Sequence, residues 1–73
     1  MRTIEFALRG EYITLDALLK ATGLADSGGA AKVLIASGKV AVDGREELRR
    51  GAKLRAGQVV AVHGARVHLR PDQ

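Results

Sequence analysis

The chain has 73 residues, with twelve Lys and Arg against eight Asp and Glu, for a formal charge of +4. That is enough for one small domain, residues 1–73, whose thin core buries only about 60–65% of the surface the unfolded chain exposes, so a deep catalytic cleft between subdomains is excluded. No cysteine is present, which excludes disulfides and thiolate metal sites, and no apolar run approaches the roughly 18–20 residues needed to span a bilayer.

The first ten residues contain Glu5 and no long apolar stretch, unlike a secretory signal. The chain is therefore expected to be soluble, cytoplasmic, and complete or nearly so. From Arg2 to Arg9 the pattern alternates: Ile4, Phe6 and Leu8 point one way and Thr3, Glu5, Ala7 and Arg9 the other, as in a half-buried strand. Gly10 breaks it. Thr14 can cap a helix over 14–22, with Asp16 in its first turn favoured by the helix dipole. Leu15, Leu18, Leu19 and Thr22 share one face, and Gly23 is a natural left-handed stop.

Asp26 or Ser27 caps a second helix, in which Ala30, Ala31, Val33, Leu34 and Ile35 form a broad apolar face and Gly38 marks the end. Gly28 and Gly29 weaken its first turn by about 1 kcal/mol each relative to Ala. They either leave backbone N–H groups open to an anion or simply relieve crowding. Lys39 to Asp43 reads as a strand with Val40 and Val42 inward, followed by Asp43-Gly44, a strong tight-turn signal. Residues 45–58 lack periodicity and read as an irregular basic loop with one short strand at Lys53–Leu54. Val59 to Val62 and Arg66 to Arg70 form a second hairpin through His63-Gly64-Ala65, with Val67 and Leu69 inward, and Pro71 ends the sheet. The predicted fold class is α+β: two short antiparallel helices packed on a small, mostly antiparallel sheet, with the N-terminal strand paired to the C-terminal hairpin.

The charge is unevenly placed. Residues 1–27 carry Arg2, Arg9 and Lys20 against Glu5, Glu11, Asp16 and Asp26. Residues 28–70 carry Lys32, Lys39, Arg45, Arg49, Arg50, Lys53, Arg55, Arg66 and Arg70 against only Asp43, Glu46 and Glu47. Such a balance fits nucleic acid or another anionic surface, or else a surface kept soluble by charge. Nothing supports an enzyme. His63 and His68 sit near a turn and on an outward strand position, no metal-ligand spacing exists, and Glu46-Glu47 do not mark an acid and base in a pocket. No cofactor and no metal are expected.

If the 45–53 loop folds back beside the second helix, Lys32, Arg45, Arg49, Arg50 and Lys53 form one patch, with Arg forks and Lys point charges suited to phosphates. Aromatic residues are nearly absent, with Phe6 in the core and Tyr12 in a loop. Base stacking is therefore disfavoured, and recognition should rest on backbone and shape, which points to structured RNA.

The order of elements resembles the S4 RNA-binding domain family. In that pattern an L-D-x-x-L helix, here Leu15, Asp16 and Leu18, is followed by a glycine and a Ser-capped helix ending near L-I-x-x-G, here Gly23, Ser27, Ala31, Leu34, Ile35 and Gly38. Then comes V-x-V-[ND]-G, here Val40, Val42, Asp43 and Gly44, and later L-x-x-G-x-x-[VI], of which Leu54, Gly57 and Val59 fit. Small stand-alone bacterial members share the Ser27-Gly28 and Ala31-Lys32 helix start and the basic Glu47-Leu48-Arg49-Arg50 loop. The likeness covers about residues 13–62. It implies RNA binding through the two-helix motif and the loop after the Asp-Gly turn, with Lys32, Arg45, Arg49, Arg50 and Lys53 as contacts. The implied partner is ribosomal RNA, transfer RNA or a ribosomal particle, bound by a monomer. Thr14 and Gly28 stand where many members carry Arg, which shifts the expected contact toward residues 45–53.

Two other readings stay open. One is a protein-interaction adaptor using the second helix or a sheet edge. The other is duplex DNA binding through the second helix, which is short and carries one outward cation, Lys32.

Overall fold

The computed structural model describes residues 2–72. The alternation at the N-terminus becomes strand β1 (Arg2–Leu8), with Leu8 buried and Ile4 and Phe6 packed against the core. Two-residue strand β2 (Ile13–Thr14) leads directly into helix α1 (Leu15–Ala21), and helix α2 spans Gly28–Ala36. Then come β3 (Ala41–Val42), β4 (Arg45–Glu46), β5 (Lys53–Leu54), β6 (Val59–Val62) and β7 (Ala65–Pro71).

Five strands form one sheet in the order β1-β7-β6-β3-β4, and β2 pairs with β5 in a separate ladder. All pairs are antiparallel except β1 with β7, which run parallel from Arg2 opposite Ala65 to Leu8 opposite Pro71. The first strand therefore closes against the last. On the exposed side of that pair, Arg70 donates to the Glu5 carboxylate and holds the Glu5 pKa below its ordinary value.

Helices of seven and nine residues are too short to persist alone in water, so packing must hold them. Leu15, Leu18 and Leu19 of α1 and Ala31 and Ile35 of α2 are fully buried, against Val40, Leu54, Val60, Val67 and Leu69. Each large apolar side chain buried this way contributes about 1.5–3 kcal/mol. The sheet supplies one inward face by register: Ile4, Val67, Val60 and Val42 lie side by side across four strands.

The α+β architecture matches the sequence expectation, with differences in detail. Ser27, rather than Asp26, caps α2, its Oγ accepting the Ala30 N–H at 3.1 Å. Thr14 occupies the cap position of α1 but makes no side-chain cap. Its hydroxyl instead donates to Asp16 Oδ1 at 2.7 Å. The apolar face of α2 is narrower than expected. Ala31 and Ile35 are buried and Leu34 half-buried, whereas Ala30 is exposed and Val33 is 69% exposed: the helix packs against α1, and only the side that carries residues 31 and 35 enters the core. The 45–58 stretch is not an irregular loop broken only at Lys53–Leu54, since Arg45–Glu46 forms the edge strand β4. Ala65 opens β7 rather than belonging to the turn, and Pro71 is the last paired residue of that strand.

Candidate nucleic-acid interface

Asp43 and Gly44 both take positive φ, 51° and 83°, which is the two-residue turn whose twist matches flanking antiparallel strands. Aspartate tolerates this region better than most residues, and glycine does so freely. The Asp43 carboxylate then ties the turn to β6: Oδ1 accepts the Val59 N–H at 2.9 Å and Oδ2 accepts from Gln58 Nε2 at 3.1 Å. Arg45 is thereby fixed opposite Val42, exposed, on the edge strand.

Beyond β4 the chain crosses from the end of α2 to the start of α1. The Glu47 N–H donates to the Val40 carbonyl at 3.0 Å. The Glu47 carboxylate accepts from Arg49 Nε at 3.1 Å, from Arg49 Nη2 at 3.2 Å and from the Arg49 backbone N–H at 3.1 Å. The Arg49 guanidinium holds the Glu47 carboxyl below its ordinary value of 4.5, and the same contact raises the Arg49 pKa.

Next, the Arg50 carbonyl accepts the Asp16 N–H at 3.1 Å and the Ala52 carbonyl accepts the Leu15 N–H at 2.9 Å. The first amides of a helix lack partners within it, and in α1 the 50–52 backbone supplies them. The β2–β5 ladder continues the attachment, Thr14 opposite Lys53 and Ile13 opposite Leu54. Ala52 and Leu54 point into the core, so Arg50, Lys53 and Arg55 point out. The cations are displayed because the intervening residues are anchored.

Of the five residues singled out from sequence, Arg50 and Lys53 are brought together at the start of α1, with Arg49 adjoining them. Arg45 lies earlier on the edge strand, and Lys32 projects from α2. The backbone contacts of the segment are with α1 and with Val40, rather than alongside α2 itself. Lys32 stands one turn after Gly28 on the same flank of the helix. Gly28 in turn shares a shallow cavity of about 270 Å³ with Thr14, Asp16, Ala17 and Lys20 of the α1 side, so Lys32 lies on the flank of α2 that faces α1. Among the described residues, Lys32, Arg45, Arg50 and Lys53 form no ion pair, while Arg49 pairs with Glu47.

Sequence reasoning missed the contacts that Tyr12 and Arg55 make beside this segment. Lys53 Nζ stands 5.0 Å from the centre of the Tyr12 ring, and Arg55 Nη1 donates to the Glu11 carbonyl at 3.2 Å. The available signal was the alternation Ala52, Lys53, Leu54, Arg55, which marks an in-out strand, but its partner strand of two residues was too short to register. Among the described residues, no three His, Cys, Asp or Glu side chains cluster to hold a metal ion, and no helix is long and apolar enough to cross a membrane.

The S4 domain family profile matches residues 6–70. The chain belongs to the S4 domain family. It is 43% identical over 58 residues to YbcJ of Escherichia coli (strain K12), covering 80% of this chain and 83% of that one; RNA binding stands in that protein's name as a provisional assignment. A YbcJ from Shigella flexneri, with no function in its name, matches to the same extent. The solution structure of Escherichia coli YbcJ superposes with a TM-score of 0.65 and 38% identity, covering 96% of this chain and 87% of that chain. It is described as revealing an αL motif involved in RNA-binding.

Proposed function

We propose that this chain is an RNA-binding module that recognises structured RNA through a basic surface built from α2 and the segment that follows the Asp43-Gly44 turn. Lys32, Arg45, Arg49, Arg50 and Lys53 are its contacts. The observation that carries the reading is the docking of residues 50–54 on the start of α1. It turns a charged stretch without periodicity into a fixed row of outward cations beside the two helices. Membership of the S4 domain family and the RNA-binding motif described for Escherichia coli YbcJ support it.

The chemistry is phosphate recognition. Guanidinium groups of Arg45, Arg49 and Arg50 offer paired donors to phosphate oxygens, and Lys32 and Lys53 offer point charges. Affinity comes largely from counterion release. Glu47 takes no charge-seeking role of its own; it holds Arg49 in one orientation. Ribosomal RNA, transfer RNA or a ribosomal particle, met by a cytoplasmic monomer without cofactor or catalysis, is the partner this reading favours. Replacing Arg49, Arg50 and Lys53 together by Ala weakens binding to a folded RNA without unfolding the domain; unchanged affinity would remove the patch from the account.

A second reading, a protein-interaction adaptor, draws on the outer face of α2. There Val33 is 69% exposed in a groove of about 530 Å³ shared with Leu24, Ala30 and Leu34 and rimmed by Lys39 and His63. Recovery of a protein partner that survives ribonuclease treatment and is lost on Val33→Asp would favour it.

A further inference from the structure

We propose that Tyr12 is a stacking platform for an unpaired RNA base, with Lys53, whose ammonium lies over the ring, engaging the adjoining phosphate; this deepens, and rests on, the RNA-binding reading above. The chain has two aromatic side chains, one Phe and one Tyr. Phe6 is packed against the core, whereas Tyr12 is 46% exposed.

The exposed ring is held in place. Tyr12 directly precedes β2, whose ladder with β5 fixes the backbone immediately after it. Its surroundings are already cationic: Lys53 Nζ lies over one face of the ring, 5.0 Å from its centre, so a base would stack on the opposite face or displace the ammonium toward its phosphate, and the Arg55 guanidinium is bonded to the neighbouring Glu11 carbonyl at 3.2 Å. Of the three exposed large apolar side chains among the described residues, Tyr12, Val33 and Leu48, two flank the row Arg49, Arg50 and Lys53: Leu48 in sequence, Tyr12 across the ladder.

An accessible aromatic face set among outward cations is the combination that single-stranded and unpaired nucleotides need. The base finds a π-surface and the backbone finds charge, and the aromatic contact is tolerant of base identity. The interface would then read two things at once: helical RNA by charge and shape, and a bulge or loop nucleotide by stacking on Tyr12. The competing role for the ring is purely local, a cation–π contact that braces β2 against β5.

The test titrates the full chain, Tyr12→Leu, Tyr12→Phe and the Arg49, Arg50 and Lys53 triple Ala variant with two RNA hairpins at low ionic strength. One hairpin carries a single unpaired adenosine in its stem and the other is fully paired. The proposal predicts that Tyr12→Leu weakens binding of the bulged hairpin about 5- to 100-fold more than binding of the paired one, and that Tyr12→Phe restores the difference. In the unsubstituted protein, the ring resonances of its single tyrosine shift upfield with the bulged hairpin only, a readout that requires no variant to fold. Equal losses on both hairpins, or none, with ring resonances unmoved, would overturn the stacking role while the triple variant still binds weakly. Should the triple variant bind both hairpins as well as the original chain does, or should the original bind neither, the RNA-binding surface itself would be overturned, and the Tyr12 role with it.

Discussion

The Asp43 carboxylate reaches back from the turn it opens to accept from the Val59 N–H and from Gln58 Nε2, and its backbone takes a φ of 51°. Asp43→Ala removes both acceptors and keeps the strained backbone, so it should lower unfolding free energy by about 1–3 kcal/mol. Asp43→Asn, which tolerates the same φ and retains a carbonyl acceptor, should cost less; denaturant titration of the two variants checks the order. Glu47 makes a different kind of prediction. Its folded pKa lies below the ordinary 4.5 because Arg49 donates to its carboxylate. Its contribution to stability is therefore fully present above about pH 4.5 and is lost as the pH falls through the lowered folded value. A carboxyl NMR titration should place the Glu47 midpoint on the acid side of 4.5, and Glu47→Gln should abolish that step in the pH dependence of unfolding. A midpoint above 4.5 would mean that Arg49 is not held by Glu47 in solution.

At the scale of elements, the β2–β5 ladder and the carbonyl caps on α1 position the proposed interface. Leu54→Ala takes away a fully buried side chain of that ladder, at a cost of about 2–5 kcal/mol. It should weaken RNA binding even though Leu54 is buried away from the surface, because Arg50 and Lys53 lose their anchor. Amide exchange at Leu15 and Asp16, whose N–H groups are capped by Ala52 and Arg50, should rise in parallel. Gly38→Ala acts elsewhere. It forces a side chain into φ of +80°, with its Cβ only 2.7 Å from the Glu46 carboxylate, and should destabilise by about 1–2 kcal/mol without changing affinity in the folded fraction. Legibility in the sequence follows the same division. The strand β1, both helices and the Asp43-Gly44 and His63-Gly64 turns were readable, since each is carried by local periodicity or by turn chemistry. Strands β2 and β4 were not, because two residues carry no period; β2 moreover forms only when the distant β5 is in place, and β4, Arg45–Glu46, is a charged, exposed edge with no apolar residue to mark it. The placement of residues 50–54 was hidden for that reason, and with it the meeting of Tyr12 and Lys53. The overstated apolar face of α2 has another cause: composition shows that Val33 is apolar but not that the packing of the core leaves it 69% exposed.

For the whole molecule, the charge asymmetry has become a geometric one. Six of the nine cations of the second half, Lys32 on α2 and Arg45, Arg49, Arg50, Lys53 and Arg55 after the Asp43-Gly44 turn, lie on the helix or the segment that follows that turn, while Lys39 follows α2 and Arg66 and Arg70 lie on β7; of the five proposed contacts only Arg49 carries an acidic partner among the described residues. Five phosphate contacts would give a logarithmic salt slope of roughly −3.5 to −4.5, depending on whether the RNA is single-stranded or helical, and removing three of them should reduce it by roughly 2–3. Non-specific attraction to a net charge of +4 would instead respond to any three cations alike, including Arg2, Arg66 and Arg70 on the far strands. The measurement that tests the central claim most directly is therefore the affinity for one folded RNA across a range of salt, for the original chain, the Arg49, Arg50 and Lys53 triple Ala variant, and an Arg2, Arg66 and Arg70 triple Ala variant of equal charge. The account predicts a large loss of affinity and of salt slope in the first variant and a small one in the second, with both variants folded by circular dichroism. Equal losses in the two, or a greater loss in the second, would contradict it.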